Sequence, residues 1–307
     1  MRRAAGLGLL FLLLTPFAAT AAQAEKEEML FRKLQGRIEA ADSSLDGVLG
    51  VFVKDLKSGR SLVLHADEPF PTASTVKIAV LYELFRQAEE GKLDLAELTR
   101  PGLPRVRGGG VLQELGDGVS LSWHDLASLM LAFSDNEATN LLIRKLGIES
   151  VNRRLDSLGV PHTRLRRQMM DLDAARRGDE NVATPAELAA LMLVLREGRS
   201  LSVSHAKDLL EVASLPRFDT SSSRPPFLAA LPEGVKVIEK SGELEGVRAS
   251  VAVVELKTRP YVAAIMTTHL RHDADGDALI QRLSGQIFDT FDRLDRASDL
   301  GRIISER

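Results

Sequence analysis

Strand pattern occurs in two places in this chain, and the two are widely separated. Val48 to Leu56 and Ser61 to His65 flank Lys57-Ser58-Gly59-Arg60, a hairpin turn signal; the pattern returns only at Val235–Lys240, Val247–Leu256 and Tyr261–Thr268. Between them the apolar spacing is helical over 74–90, 122–132, 135–146, 148–158 and 185–197, with a further helix near 202–213. Helical spacing also brackets the whole, at 25–41 through Met29, Leu30, Leu34 and Ile38, and from about Asp275 to Leu294. This order predicts an α/β (α+β) fold: an antiparallel sheet of about five strands, flanked by N- and C-terminal helices and joined to an all-helical lobe. Neither strand group would easily bury a core alone, so residues 25–307 read as one domain, with a sheet lobe at 25–70 and 214–307 and a helical lobe at 71–213. A small-ligand site is expected in the cleft between the lobes.

The first 24 residues stand outside that scheme. Arg2 and Arg3, an apolar run from Leu7 to Leu14, and Ala22-Gln23-Ala24 before Glu25 have the form of a cleavable secretory signal, with an uncleaved anchor as the alternative. Cleavage leaves 283 residues at net charge −5, against −3 for the full chain, and places the protein in the periplasm or outside the cell. With two Tyr, one Trp and no basic excess, nothing suggests a nucleic-acid partner; the expected partner is a small molecule, and the expected state a monomer.

Chemistry-bearing residues follow from what the chain lacks as well as from what it has. With no cysteine, a thiol nucleophile and a Cys-ligated metal are excluded, and the histidines fall in no metal-ligand pattern; no metal and no cofactor are expected. Serine is then the candidate nucleophile. Ser74 and Lys77, three apart after the Phe70-Pro71 turn, share one helix face, and a neutral lysine there could take the serine proton. Ser204 and Lys207 repeat the spacing, and a helix cap with a surface lysine would explain either pair. Only Ser74 is followed by Ser134-Asp135-Asn136 at a helix start and by Lys240-Ser241-Gly242 at a strand end.

Those three elements, in that order, resemble the class A β-lactamase superfamily, over roughly residues 26–295. The resemblance implies a β-lactamase/transpeptidase-like fold and a metal-free serine hydrolase that opens β-lactam amide bonds through an acyl-enzyme. It implies Ser74 as nucleophile, Lys77 as its proton partner, Ser134 as proton shuttle to the leaving nitrogen and Lys240 as a source of positive potential. It further implies Asn136 on the substrate's side-chain amide, Ser241 on its carboxylate, and an oxyanion hole of the Ser74 and Glu243 backbone N–H groups beside Gly242. Asp135 is read as structural, an acid at a helix start.

The chain departs from the family pattern in its deacylating loop. Aligning Thr163-Arg164-Leu165 and Leu172 without gaps puts Met169 where the family carries its water-activating Glu, and methionine accepts no proton. Loss of a positioned base costs about 10²–10⁴ in rate, so slow deacylation is expected. Asp171 and Glu180 are candidate substitutes, Glu180 being read preferentially as a loop-stapling acid. The 101–120 loop carries Gly108-Gly109-Gly110 and no aromatic, where β-lactamases often place an aromatic gatekeeper. A penicillin-binding or D-alanyl-D-alanine-peptidase-like enzyme, another amide or ester hydrolase, and a binding protein that acylates and stalls remain open. The acids at Asp273-Ala274-Asp275-Gly276-Asp277 are read as a helix N-terminus.

Overall fold

The computed structural model describes residues 15–102, 105–216, 224–298 and 300–303. Residues 1–14 of the expected signal lie outside the described residues; residues 15–24 form the start of helix α1 (Thr15–Ser44), which is longer than the expected 25–41. Among the described residues no helix is long and apolar enough to cross a membrane.

Five strands, β1 (Val48–Asp55), β2 (Ser61–Leu64), β7 (Lys236–Leu244), β8 (Val247–Glu255) and β9 (Tyr261–Thr268), form one antiparallel sheet in the order β2-β1-β9-β8-β7. Short pairs β3 (Phe70–Pro71) with β6 (Val182–Ala183) and β4 (Leu98–Thr99) with β5 (Leu121–Ser122) lie outside it. The period-two pattern settles which residues face which way. On β8, Val251 and Val253 join the core that continues into the helices between the strand groups, while Ala252 and Val254 join a second core with Phe31, Leu34 and Ile38 of α1 and Leu279, Leu283 and Ile287 of α10 (Asp273–Arg296).

Among the described residues, eight helices separate the strand groups: α2 (Lys77–Glu89), α3 (Trp123–Ala132), α4 (Asn136–Leu146), α5 (Ile148–Ser157), α6 (Leu172–Arg176), α7 (Pro185–Glu197), α8 (Val203–Ala213) and α9 (Pro226–Ala229). Their starts follow capping chemistry: Asp135 caps α4 through Ala138 N–H, Thr184 caps α7 with Pro185 in the first turn, and Ser202 caps α8. The one-turn helices α6 and α9 have no counterpart in the sequence reading, being too short to show a period. The expected strand end at Lys240-Ser241-Gly242 is also corrected: β7 runs on to Leu244, because Gly242, Glu243 and Leu244 still pair with Ala249, Arg248 and Val247.

Candidate active site

Ser74 stands on a 3-10 turn, Ala73–Val76, that runs directly into α2 at Lys77. Residues three apart eclipse in a 3-10 turn, so the shared face of Ser74 and Lys77 survives the change of helix type. The turn is fixed from both sides. Thr72 O accepts from Thr75 N (3.0 Å) and Thr75 Oγ1 (2.7 Å), while Thr72 N and Oγ1 donate to Asn181 O at 2.9 and 3.1 Å. On the other flank, a Cβ at Gly242 would lie 2.7 Å from Thr72 O and 2.8 Å from Ser74 N, so only glycine lets β7 come this close to the serine.

Lys77 is fully buried, and its Nζ lies within hydrogen-bond distance of three oxygens: Ser134 O at 2.6 Å, Ser134 Oγ at 3.1 Å and Asn136 Oδ1 at 3.0 Å. Burial, reinforced by the Lys240 charge and opposed by Asp135, holds its ammonium well below the usual lysine range. Lys240 is also buried and donates to Ser241 O at 2.6 Å. A cavity of about 250 Å³ opens here, lined among others by Ser74, Ser134, Asn136, Lys240, Ser241, Gly242 and Glu243. Seven of the eight residues expected to catalyse or to bind substrate thus line one cavity, and the eighth, Lys77, lies outside the lining in contact with Ser134 and Asn136. Ser204 and Lys207 are elsewhere, exposed on α8 with Lys207 against Glu211.

The start of α4 bolts the glycine wall in place with three consecutive side chains. Asp135 Oδ2 accepts from Val111 N and Leu112 N at 2.8 and 2.7 Å, Asn136 Nδ2 donates to Gly108 O at 2.9 Å, and Glu137 Oε2 accepts from Val106 N at 2.9 Å. All three side chains are buried. Asp135 is structural, as its place at a helix start suggests.

The 163–181 loop supplies the opposite wall. Met169 lines the cavity with only 8% of its surface exposed, and Asn140 clamps its backbone, accepting from Met169 N at 2.7 Å and donating to Met169 O at 3.0 Å. Asp171 lies outside the cavity lining and caps α6 through Ala174 N–H at 2.9 Å. Glu180 accepts from Arg167 Nε at 3.1 Å and from its terminal nitrogen at 2.6 Å, so it staples the loop. Neither acid stands where Met169 does. Glu243, on β7, supplies the one carboxylate among the described lining residues.

Asn140, Asn181 and Met170 were missed in the sequence. Asn140 lay within reach, being four residues beyond Asn136 and so on the same face of α4. Asn181 Oδ1 accepts from the backbone N–H groups of Arg166 and Arg167 at 2.7 and 3.0 Å, a contact across the loop that no spacing rule marks. Ala73, Ser134 and Met170, at φ 47°, 50° and 63°, all line the cavity, so half of the six non-glycine positive-φ residues of the described chain are concentrated there. Among the described residues no three His, Asp or Glu side chains are grouped to hold a metal.

Comparison with known proteins gives the arrangement a context. A model of the β-lactamase enzyme family matches residues 32–291. The β-lactamase ROB-1 of Haemophilus influenzae is 32% identical over 256 residues, 79% of each chain. Among solved structures, an ancestral class A β-lactamase superimposes with a TM-score of 0.76 at 28% identity, covering 84% of this chain and all of that one. A mutant of PBP-A, an acyl-enzyme complex with penicillin G, superimposes with a TM-score of 0.75 at 26% identity, covering 86% of this chain and 96% of its own.

Proposed function

Because the chain belongs to the β-lactamase enzyme family, whose activity is hydrolytic, we propose that it works as a serine hydrolase that opens a β-lactam amide through an ester on Ser74. The observation that carries this reading is Lys77: a buried lysine, held toward its neutral form, one turn from Ser74 and in contact with Ser134 Oγ. Neutral Lys77 takes the proton as Ser74 Oγ attacks the carbonyl carbon. The carbonyl oxygen gathers negative charge toward the Ser74 and Glu243 backbone N–H groups, each such donor contributing about 10²–10³ in rate. As the C–N bond breaks, Ser134 passes a proton to the leaving nitrogen and is reprotonated from Lys77. Lys240 and Ser241 hold the substrate carboxylate, and Asn136 retains one N–H and one lone pair for the side-chain amide.

Water must then attack the ester, and the position that aligns with the family's base holds Met169, which lines the cavity. Slow release follows, which also favours the second reading, a penicillin-binding type of protein that acylates faster than it turns over; the penicillin G acyl-enzyme known for PBP-A is consistent with either. The N-terminal signal pattern supports an activity in the periplasm or outside the cell.

Intact mass, followed over minutes after mixing with benzylpenicillin, tests this together with turnover of a chromogenic cephalosporin. The expected result is one persistent adduct, absent in Ser74→Ala, that Met169→Glu releases at least about tenfold faster, the lower part of what a positioned base supplies. Absence of both an adduct and any turnover that Ser74→Ala abolishes would sink the acyl-enzyme reading; unchanged release in Met169→Glu would sink the alignment of Met169 with the base position.

A further inference from the structure

The glycine wall presents no side chain to the cavity, and the other wall reaches across to meet it. Met170 holds a left-handed backbone, φ 63°, that a residue with a Cβ rarely adopts. Its thioether lies flat on Gly108: a Cβ there would come within 2.8 Å of Met170 Cε and 3.0 Å of Sδ. Both walls are fixed, Gly108 by Asn136 and the neighbouring Met169 by Asn140, so the methionine spans two anchored segments. It remains 43% exposed, and Leu172 beside it at the mouth is 52% exposed. Core packing therefore does not account for a strained residue that holds a partly exposed apolar side chain at the cavity.

The cavity is lined by Lys240 and Ser241 of β7 and by the apolar Met169, Met170 and Leu172, and Met170 lies on Gly108, whose carbonyl accepts from Asn136, the residue proposed to hold the side-chain amide. A penicillin carries its carboxylate on one side of the lactam bond and its acylamino substituent on the other. If the carboxylate is at Ser241, the substituent meets Met170. A methionine sulfur packs favourably against an aromatic ring. We infer that Met170 is a specificity-determining residue, a gate that selects acyl groups bearing an aromatic ring and does from the 163–181 loop what the glycine wall has no side chain to do. The orientation of the substrate in this inference rests on the acyl-enzyme reading.

The test measures binding rather than acylation, so that the two can fail separately. In the Ser74→Ala background, the dissociation constants of benzylpenicillin and of its analogue with acetyl in place of phenylacetyl are compared by calorimetry. The phenylacetyl compound is expected to bind about tenfold tighter. Adding Met170→Ala is expected to bring the two within about twofold, and adding Met170→Leu to keep most of the preference. No preference in the Ser74→Ala protein, or one that survives Met170→Ala, overturns the gate whatever the mass measurements show. A retained preference that Met170→Ala erases supports it even where the parent protein forms no adduct. Far-ultraviolet circular dichroism of the Met170→Ala protein identifies a folding failure, in which case Met170→Gly, which suits the left-handed backbone, takes its place under the same outcomes.

Discussion

Lys77 carries a cost that the role proposed for it requires. Burial first, and then the Lys240 charge, hold its pKa down, whereas in the unfolded chain it titrates near the ordinary lysine value of about 10.4. Between those two values the unfolded state binds more protons than the folded one, so stability rises with pH across that window and this group contributes least to stability below its folded pKa. Lys77→Met removes the titration. Urea unfolding at pH 6, 8 and 10 is expected to show a smaller rise in stability with pH in the variant than in the parent, while Ser74 adduct formation drops at least about 100-fold. An unchanged pH slope would mean that Lys77 is charged in the folded protein and is held there for structure alone. The residues of this site were legible because three short motifs concentrate them. What holds them was legible only in Glu180, read as a loop-stapling acid: the Asn140 clamp and the Asn181 bonds to Arg166 and Arg167 join residues 14 to 29 apart with no period to announce them.

Among the elements, the sheet and the long helices were readable because each repeats its pattern over several turns or residues, and the errors sit at ends, where hydrogen-bond geometry rather than periodicity decides. The α2–α8 junction shows such a decision. Glu89, in the last turn of α2, accepts from Ser202 N at 2.9 Å just before α8 and from His205 Nδ1 at 2.6 Å within it, and these bonds, the Ser202 backbone first, bring its carboxyl to about 2. A depressed carboxylate pKa stabilises the fold fully above the unfolded value of about 4.3, and that contribution is lost as pH falls toward 2. Glu89→Gln is expected to flatten the acid limb of stability between about pH 4.5 and 2 and to leave the cavity end of α2 untouched. Identical acid limbs in the two proteins would show that the junction adds nothing to the fold.

On the scale of the whole molecule, the chain must bring residues near its start and its end together, since β1 pairs with β9 along its full length, Val48 opposite Thr268 and Asp55 opposite Tyr261. One buried charge cluster secures that closure. Arg259, in the β8–β9 turn with 4% of its side chain exposed, donates through Nε to the fully buried Asp55 at 2.9 Å and through a terminal nitrogen to Glu27 of α1 at 2.7 Å. Asp55 also accepts from Lys57 N at 2.9 Å and Ser58 Oγ at 2.6 Å, which shapes the β1–β2 turn. Three distant segments thus meet on one guanidinium, and a chain cut after Ala24 would keep Glu27. Arg259→Met leaves the Asp55 carboxylate buried without its counter-charge, a loss of about 3 kcal/mol. At about 2–4 °C per kcal/mol for a domain near this size, the melting temperature is expected to fall by about 6–12 °C. Adding Asp55→Asn removes the stranded charge, so the double variant should recover part of the loss, and adduct formation at Ser74, in the cleft beside β7, should persist in both at temperatures below melting. A drop under about 1 °C, or a double variant that loses the sum of the two single losses, would place the closure in the apolar cores on either face of the sheet instead.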